Sequence, residues 1–364
     1  MNKYLQIRTD RVRAIARIGL EADASPYRSF WQAGFEGADH INGSGRSLCL
    51  NTLTDHIQRA DEDFSAANTM GLRTVRESLS WRGIERGAEH DFAHADRLLG
   101  YARMRGVQVL WTLCHYGLPD GLDIFDPHFG ERLASYCGAF ARHLRAQGDD
   151  DAARVYTPLN EISFLAWAVC ETGLMHPHIG DRKADGYALK KALARATILA
   201  IDAIRDEDPD ARILLVDPLI HIAAECEDDE EPAAAICAHQ FQAWDMIAGR
   251  LEPSLGGSHA HLDLIGINYY PWNQWLHGSD ATLEWPHASA IHGMRDGVVA
   301  LRDSHDREPC GRLCEHLHAL LLNGMPADSG RGGRYRNPAA GRHPQTRQSR
   351  MRATRRRVSA PVPG

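Results

Sequence analysis

The run Val107-Gln-Val-Leu-Trp-Thr-Leu-Cys-His-Tyr116 opens on apolar and β-branched residues and closes on ionisable ones. It reads as a buried strand, Val107–Leu113, followed by a polar cluster, Cys114-His115-Tyr116. The same form recurs in both directions. Phe30–Phe35 leads to Glu36, Leu72–Leu79 carries Arg76-Glu77, and Arg154–Pro158 leads to Asn160-Glu161. Arg212–Asp217 ends on its aspartate, and Leu262–Tyr270 ends in Asn268-Tyr269-Tyr270. Between these runs the spacing of apolar residues predicts helices at about 54–70, 94–105, 129–147, 183–207 and 233–250. The pattern is clearest in Phe129–Leu144, where Phe129, Leu133, Tyr136, Cys137, Phe140 and Leu144 fall on one helical face. Gly71 and Gly106 stand between a helix and a strand, where a left-handed cap is wanted.

Strands that alternate with helices demand a parallel sheet, either doubly wound or closed into a barrel. A doubly wound sheet gathers its chemistry at one switch point and commonly carries a glycine-rich phosphate loop. A barrel spreads functional side chains over the carboxyl ends of many strands around one mouth. Here every one of the six runs carries polar chemistry at or near its end, and no GxGxxG or Walker pattern follows any of them. The fold class expected is therefore α/β, a (β/α)8 TIM barrel. It is expected to be incomplete, because only six strands are recognisable. After Tyr270 the signal fades: Val298–Leu301 is a weak strand and Glu315–Leu322 reads as helical. The expected organisation is an N-terminal extension over 1–28, a barrel over 29–325 that is poorly defined after 275, and a disordered tail over 326–364.

Charge divides the chain in the same place. Ten of its 41 basic residues, all arginine, follow Ser329, and none of its 48 acidic residues does. The body reads as an acidic soluble enzyme and the tail as a solvated segment. The tail has no aromatic interleaving, so nucleic acid is not expected as a partner. No apolar run approaches the length of a membrane span. Met1–Leu20 lacks a continuous apolar stretch, so no secretory signal is read and a cytoplasmic location is expected. The eight cysteines form no CxxC pair; Cys310 and Cys314, near His316 and His318, lack a second ligand pair for zinc. Buried free thiols are expected for Cys114 and Cys137. No metal and no cofactor is implied.

Chemistry centres on Thr157-Pro-Leu-Asn-Glu161. A carboxyl group at a barrel mouth, shielded by aromatics, is able to donate a proton near neutrality. An adjacent asparagine can bind a substrate hydroxyl. Taken alone the common Asn-Glu dipeptide more often marks a loop-end ion pair. Its context includes Thr74-Val-Arg-Glu-Ser-Leu-Ser-Trp81, Thr112-Leu-Cys-His-Tyr-Gly-Leu-Pro119 and Leu262-Asp-Leu-Ile-Gly-Ile-Asn-Tyr-Tyr270. In this order the four segments resemble glycoside hydrolase clan A, most of all its family 1 (the β-glucosidase, 6-phospho-β-glucosidase and β-galactosidase group). The resemblance spans roughly residues 30–275.

That resemblance implies roles by position. Glu161 is the general acid/base and Asn160 contacts the sugar 2-hydroxyl. Arg76 holds the nucleophile carboxylate ionised, and His115 bonds sugar hydroxyls. Asn268 and Tyr270 form the sixth-strand pair. Trp31, Trp111, Trp167 and Trp272 are candidate stacking faces, with core packing as the alternative. Two departures stand out: Ile162 occupies the place of the family's proline, and Gly34-Phe-Glu-Gly37 lacks the glutamine that grips the sugar. The family's nucleophile is a glutamate ending strand seven. By spacing the candidate is Glu315, although no apolar strand precedes it; Glu284 is too close to strand six. The C-terminal part is expected to have been lost or frameshifted. The function expected is retaining hydrolysis of β-glycosides, with a small carbohydrate as substrate. The alternative is an inactive or truncated barrel that binds sugar at most.

Overall fold

The six apolar runs form six parallel strands. In the computed structural model the described residues are 25–279, apart from Glu36, Ala88, 149–151, 181–184 and 271–272. The strands are β1 (Ala33–Phe35), β2 (Thr74–Ser78), β3 (Gln108–Cys114), β4 (Val155–Leu159), β5 (Arg212–Pro218) and β6 (Leu264–Asn268). They lie in one sheet in chain order, and every neighbouring pair is parallel. Each strand therefore sits beside its successor with no reversal of order. That is the winding of a (β/α) barrel, because a doubly wound sheet reverses at its switch point.

All seven residues of β3 are buried, which is why its sequence reads as a continuous apolar run rather than an alternation. One face of the sheet packs on helices α1 (His56–Thr69), α2 (Ala93–Arg105), α3 (Phe129–Ala146), α4 (Ile162–Cys170), α5 (Gly186–Glu207) and, after α6 (Glu227–Ala238), which packs through Ala233 and Cys237 on Ile222 instead, α7 (Gln242–Ile247). The main core lies between them: Val75, Trp111, Tyr156 and Ile213 of the sheet meet Phe64, Leu98, Phe140, Ile201 and Trp244 of the helices. A smaller cluster occupies the opposite face, with Leu110, Val155, Leu214 and Val216 against Leu264 and Tyr27. The two-residue strand period assigns these faces, since Ile213 and Leu215 point one way and Leu214 and Val216 the other. Gln108 ties the start of the described chain beneath this inner cluster. Its Nε2 donates to the carbonyls of Pro26 at 2.6 Å and Ala153 at 2.9 Å.

Helices α3 and α5 approach closely through glycine. A Cβ on Gly138 would stand 3.2 Å from the Ala203 carbonyl oxygen, and one on Gly130 would stand 3.2 Å from Leu199 Cδ1. At Gly106 the expected left-handed cap is present, with φ 64° and its amide bonded to the Arg103 carbonyl. Gly71, at φ 80°, follows the cap of α1 in the same way.

Several boundaries differ from expectation. Strand β1 begins at Ala33 rather than Phe30; Phe30 and Trp31 are 87% and 73% exposed, so they have no layer to pack against. Helix α4 was not anticipated from the sequence. Its nine residues, Ile162–Cys170, are almost all apolar, and without a polar face they carry no helical period to read. The single helix expected over 233–250 is α6, a 3-10 turn at His239–Phe241, and α7. It begins six residues early because Glu227, Asp228, Asp229 and Glu230 fill the first turn of α6, where the helix dipole favours anions. Strands seven and eight of the expected barrel, and the Arg-rich tail, lie outside the described residues.

Candidate active site

At the end of β4 the chain turns sharply into α4, and Glu161 is the turn residue, with φ 50° and ψ 67°. A left-handed backbone on a glutamate costs about 1–3 kcal/mol and must be held by its surroundings. The neighbouring strands hold it here. The Asn160 amide donates to the Cys114 carbonyl at the end of β3 (2.9 Å), and the Glu161 amide donates to the Val216 carbonyl of β5 (3.0 Å). The Glu161 carbonyl in turn accepts the first helical bond, from Leu165 (2.9 Å). Asp217 completes the corner: its carboxylate accepts from the Ser163 amide at 3.0 Å and the Ser163 hydroxyl at 2.6 Å. Burial pushes Asp217 up to about 7, against the Ser163 bonds and the charge of Lys190.

The side chains converge in a directional chain. Arg76 Nη2 donates to Asn160 Oδ1 at 2.6 Å, and its Nε donates to Thr112 Oγ1 at 2.9 Å. Asn160 Nδ2 donates to the Tyr116 hydroxyl at 2.8 Å, and that hydroxyl donates to Glu161 Oε2 at 2.5 Å. Asn160 Nδ2 is also 3.4 Å from Oε2. Glu161 is 8% exposed, and its Oε1 makes no hydrogen bond among the described residues. His115 is 4% exposed, with Nδ1 2.8 Å from Ser78 Oγ. Burial and the Arg76 charge bring its pKa down to about 3, so the ring is neutral at ordinary pH. When Ser78 donates to Nδ1, the His115 proton is on Nε2, a donor available to a ligand hydroxyl.

The family model of "Glycosyl hydrolase family 1" matches residues 36–247, more than half of the chain. The chain belongs to that family. It is 31% identical over 210 residues to a 6-phospho-beta-glucosidase of Dickeya chrysanthemi, covering 55% of this chain and 43% of that one. It is 24% identical over 228 residues to Beta-glucosidase A of Thermotoga maritima, covering 60% and 49%. The chain thus spans about half the length of the curated relatives it matches. Two solved structures share the fold. The family 1 b-glucosidase from Thermotoga maritima in complex with isofagomine lactam has a TM-score of 0.53 at 17% identity, over 70% of this chain and 68% of that one. The AHE enzyme from Alicyclobacillus herbarius has a TM-score of 0.51 at 20% identity, over 59% and 54%.

In this family 1 chain, four of the residues singled out from sequence lie together: Arg76, Asn160 and Glu161 share one hydrogen-bonded chain, and His115 adjoins Tyr116 with ring centroids 4.8 Å apart. Asn268 and Tyr270 stand at the same carboxyl end of the sheet, on and just beyond β6. The Asn268 carbonyl accepts from the Leu219 amide (3.0 Å) and from Asn273 Nδ2 (3.2 Å), and Tyr270 is 37% exposed. Trp111 is a core residue, buried edge-on against Phe140. Trp167 is 44% exposed and lies 5.9 Å from Phe164, whose ring is 5.7 Å from Tyr116. Glu36, Trp272, Glu284 and Glu315 lie outside the described residues.

Reading the sequence left out Tyr116, Asp217 and Asp39 as members of the site. Asp39 is 2% exposed, accepts from Ser80 Oγ at 2.6 Å, pairs with Arg82, and through its amide holds the His115 carbonyl at 3.0 Å. A usable signal existed for Asp217, an acid ending an otherwise apolar strand. For Asp39, which begins a three-residue strand, Asp39–Ile41, outside the main sheet, none existed. Glu77 was grouped with Arg76 as one polar strand end, but the strand period separates them. Arg76 faces Thr112 and Asn160, while Glu77 faces α1, where its Oε1 is 2.9 Å from His56 Nε2.

Proposed function

We propose that this site cleaves β-glycosidic bonds of the β-glucoside type by the retaining route, with Glu161 as general acid/base. The observation that carries the reading is the division of labour on Glu161. One carboxyl oxygen is held by Tyr116 and Asn160, and the other has no hydrogen-bond partner among the described residues, at the carboxyl end of a barrel strand. A general acid needs such an oxygen to deliver its proton to the leaving group and later to take one from water. Family membership supports the same reaction class. Arg76, His115, Asn160, Asn268 and Tyr270 are the proposed sugar-contacting and positioning groups. The retaining route needs a second carboxylate about 5 Å from the first. Glu315 stays the candidate by spacing. Six free cysteines among the described residues fit a reducing compartment, and we place the protein in the cytoplasm.

The test is hydrolysis of chromogenic aryl β-glycosides by the full chain, with the first-formed anomer read by NMR. Release of the phenol with β-anomer appearing first is the expected result. Glu161→Gln should lower kcat for a poor leaving group by about 10²–10⁴-fold. No turnover by a chain that melts cooperatively, or a first-formed α-anomer, would overturn the proposal.

A further inference from the structure

Tyr116 stands at the centre of the site, yet neither family membership nor the strand-end pattern assigns it a task. Its backbone is left-handed, with φ 78°, a conformation a tyrosine adopts only when the surroundings impose it. Its hydroxyl is wedged between Asn160 and Glu161. The polarity of this contact is fixed from a distance. Arg76 has only donors, so the Asn160 oxygen must face it, and the Asn160 amide nitrogen is left to face Tyr116. The Tyr116 oxygen therefore accepts from Asn160, and among the described residues its single proton has one remaining destination, Glu161 Oε2.

We propose that Tyr116 is a positioning residue for Glu161: by donating to Oε2 it restricts the acid's own proton to Oε1, the oxygen left open to a leaving group. This rests on the acid/base reading of Glu161 given above. In the step implied, the proton on Oε1 passes to the glycosidic oxygen as its bond to the sugar breaks, and the electron pair of that bond stays on the departing oxygen. The carboxylate nucleophile of the retaining route forms the new bond to the sugar. In the second half water gives a proton to Oε1 while its oxygen bonds to the sugar and the bond to the nucleophile carboxylate breaks. Tyr116 keeps its own proton throughout, in accord with the burial and the Glu161 carboxylate that hold its pKa well above the ordinary phenol value. The ring is fixed for this role by packing 5.7 Å from Phe164 and 4.8 Å from His115.

Two readouts test the assignment. The first needs no turnover. A short hydrogen bond from a phenol to a carboxylate gives a downfield, slowly exchanging proton resonance. It should be present in the wild-type chain, absent in Tyr116→Phe, and moved upfield in Glu161→Gln, whose neutral amide is the weaker acceptor. A Glu161→Gln spectrum unchanged in that region would overturn the proposal, as would a resonance that survives Tyr116→Phe. The second readout is leaving-group dependence. Tyr116→Phe should lose about tenfold or more in kcat/KM on phenyl β-glucoside, which needs the acid. On the 2,4-dinitrophenyl glycoside, which leaves without protonation, the loss should stay within about twofold. Equal losses on both substrates would reduce Tyr116 to a packing role and overturn the proposal. If the wild-type chain turns over neither substrate, the hydrolase reading fails, and the proton resonance still decides whether Tyr116 holds Glu161.

Discussion

Asp217 ends β5 much as Glu161 ends β4, but its carboxyl faces inward on α4, 1% exposed, while Glu161 has one oxygen without a hydrogen-bond partner among the described residues. Asp217 thereby fixes the first turn of the helix that Glu161 begins, through a main-chain donor and a hydroxyl at the positive end of the helix. Its burial has a consequence for stability. A carboxyl whose pKa is raised to about 7 in the folded chain binds its proton more tightly there than in the unfolded chain. The stability it contributes is fully present below the unfolded value and is lost as pH rises through about 7. Asp217→Asn keeps the size and an acceptor for the Ser163 amide but cannot ionise. Its stability relative to wild type should therefore improve by roughly 2 kcal/mol between pH 5 and pH 8. Urea unfolding of both proteins at the two pH values measures this, and parallel pH dependence would show that Asp217 is solvated in solution.

The elements show why some of this was legible and some was not. Strands β3 to β5 were readable because burial on both faces forces runs of apolar residues, and polar residues re-enter mainly at their ends. The same logic exposed Arg76, His115, Asn160 and Glu161. It could not tell which face a polar residue takes. Glu77, fully buried behind β2, bonds His56, which bonds Asp63 in turn at 2.7 Å, with Phe35 stacked 4.2 Å from the imidazole. Burial pushes Glu77 up to about 7, opposed by His56. Burial also works against a charged His56, but the bonds and charges of Glu77 and Asp63 outweigh it and raise its pKa. This group joins α1 to the sheet and takes no part in the Glu161 chain. Hydrogen-bond partners such as Tyr116 and Asn160 depend on approach between strands, which spacing in sequence does not encode. Helix approach is another such quantity, and it can be tested. Gly138 lets α3 rest on Ala203 of α5, so Gly138→Leu should push the helices apart and destabilise the fold by roughly 1–3 kcal/mol. A thermal melt unchanged by the substitution would show that this helix pair yields at no cost.

Across the whole described molecule, order of winding and order of protection should follow one another. Strands β3 and β4 lie at the centre of the sheet, with every residue buried and a partner strand on each side. Strand β6 has its partner on one side among the described residues, none of its residues is fully buried, and Ile267 is 42% exposed. Gly266 within it is required by the approach of β5, because a Cβ there would stand 2.6 Å from Val216 Cγ2. An edge with few buried contacts opens locally at lower free energy than a central strand. Amides of Leu264–Asn268 should thus exchange with deuterium about tenfold or more faster than those of Gln108–Cys114, as read by mass spectrometry on peptic fragments. The outcome bears on the site, because Arg76, Asn160 and Glu161 are held by the central strands whereas Asn268 and Tyr270 depend on the edge. Fast exchange at β6 would mean that the proposed acid is preorganised and the proposed sixth-strand contacts are not, so under that proposal a sugar would be gripped on one side more firmly than on the other. Protection at β6 equal to that of β3 would contradict this. It would mean that a further strand pairs with β6 in solution and carries the barrel beyond six strands.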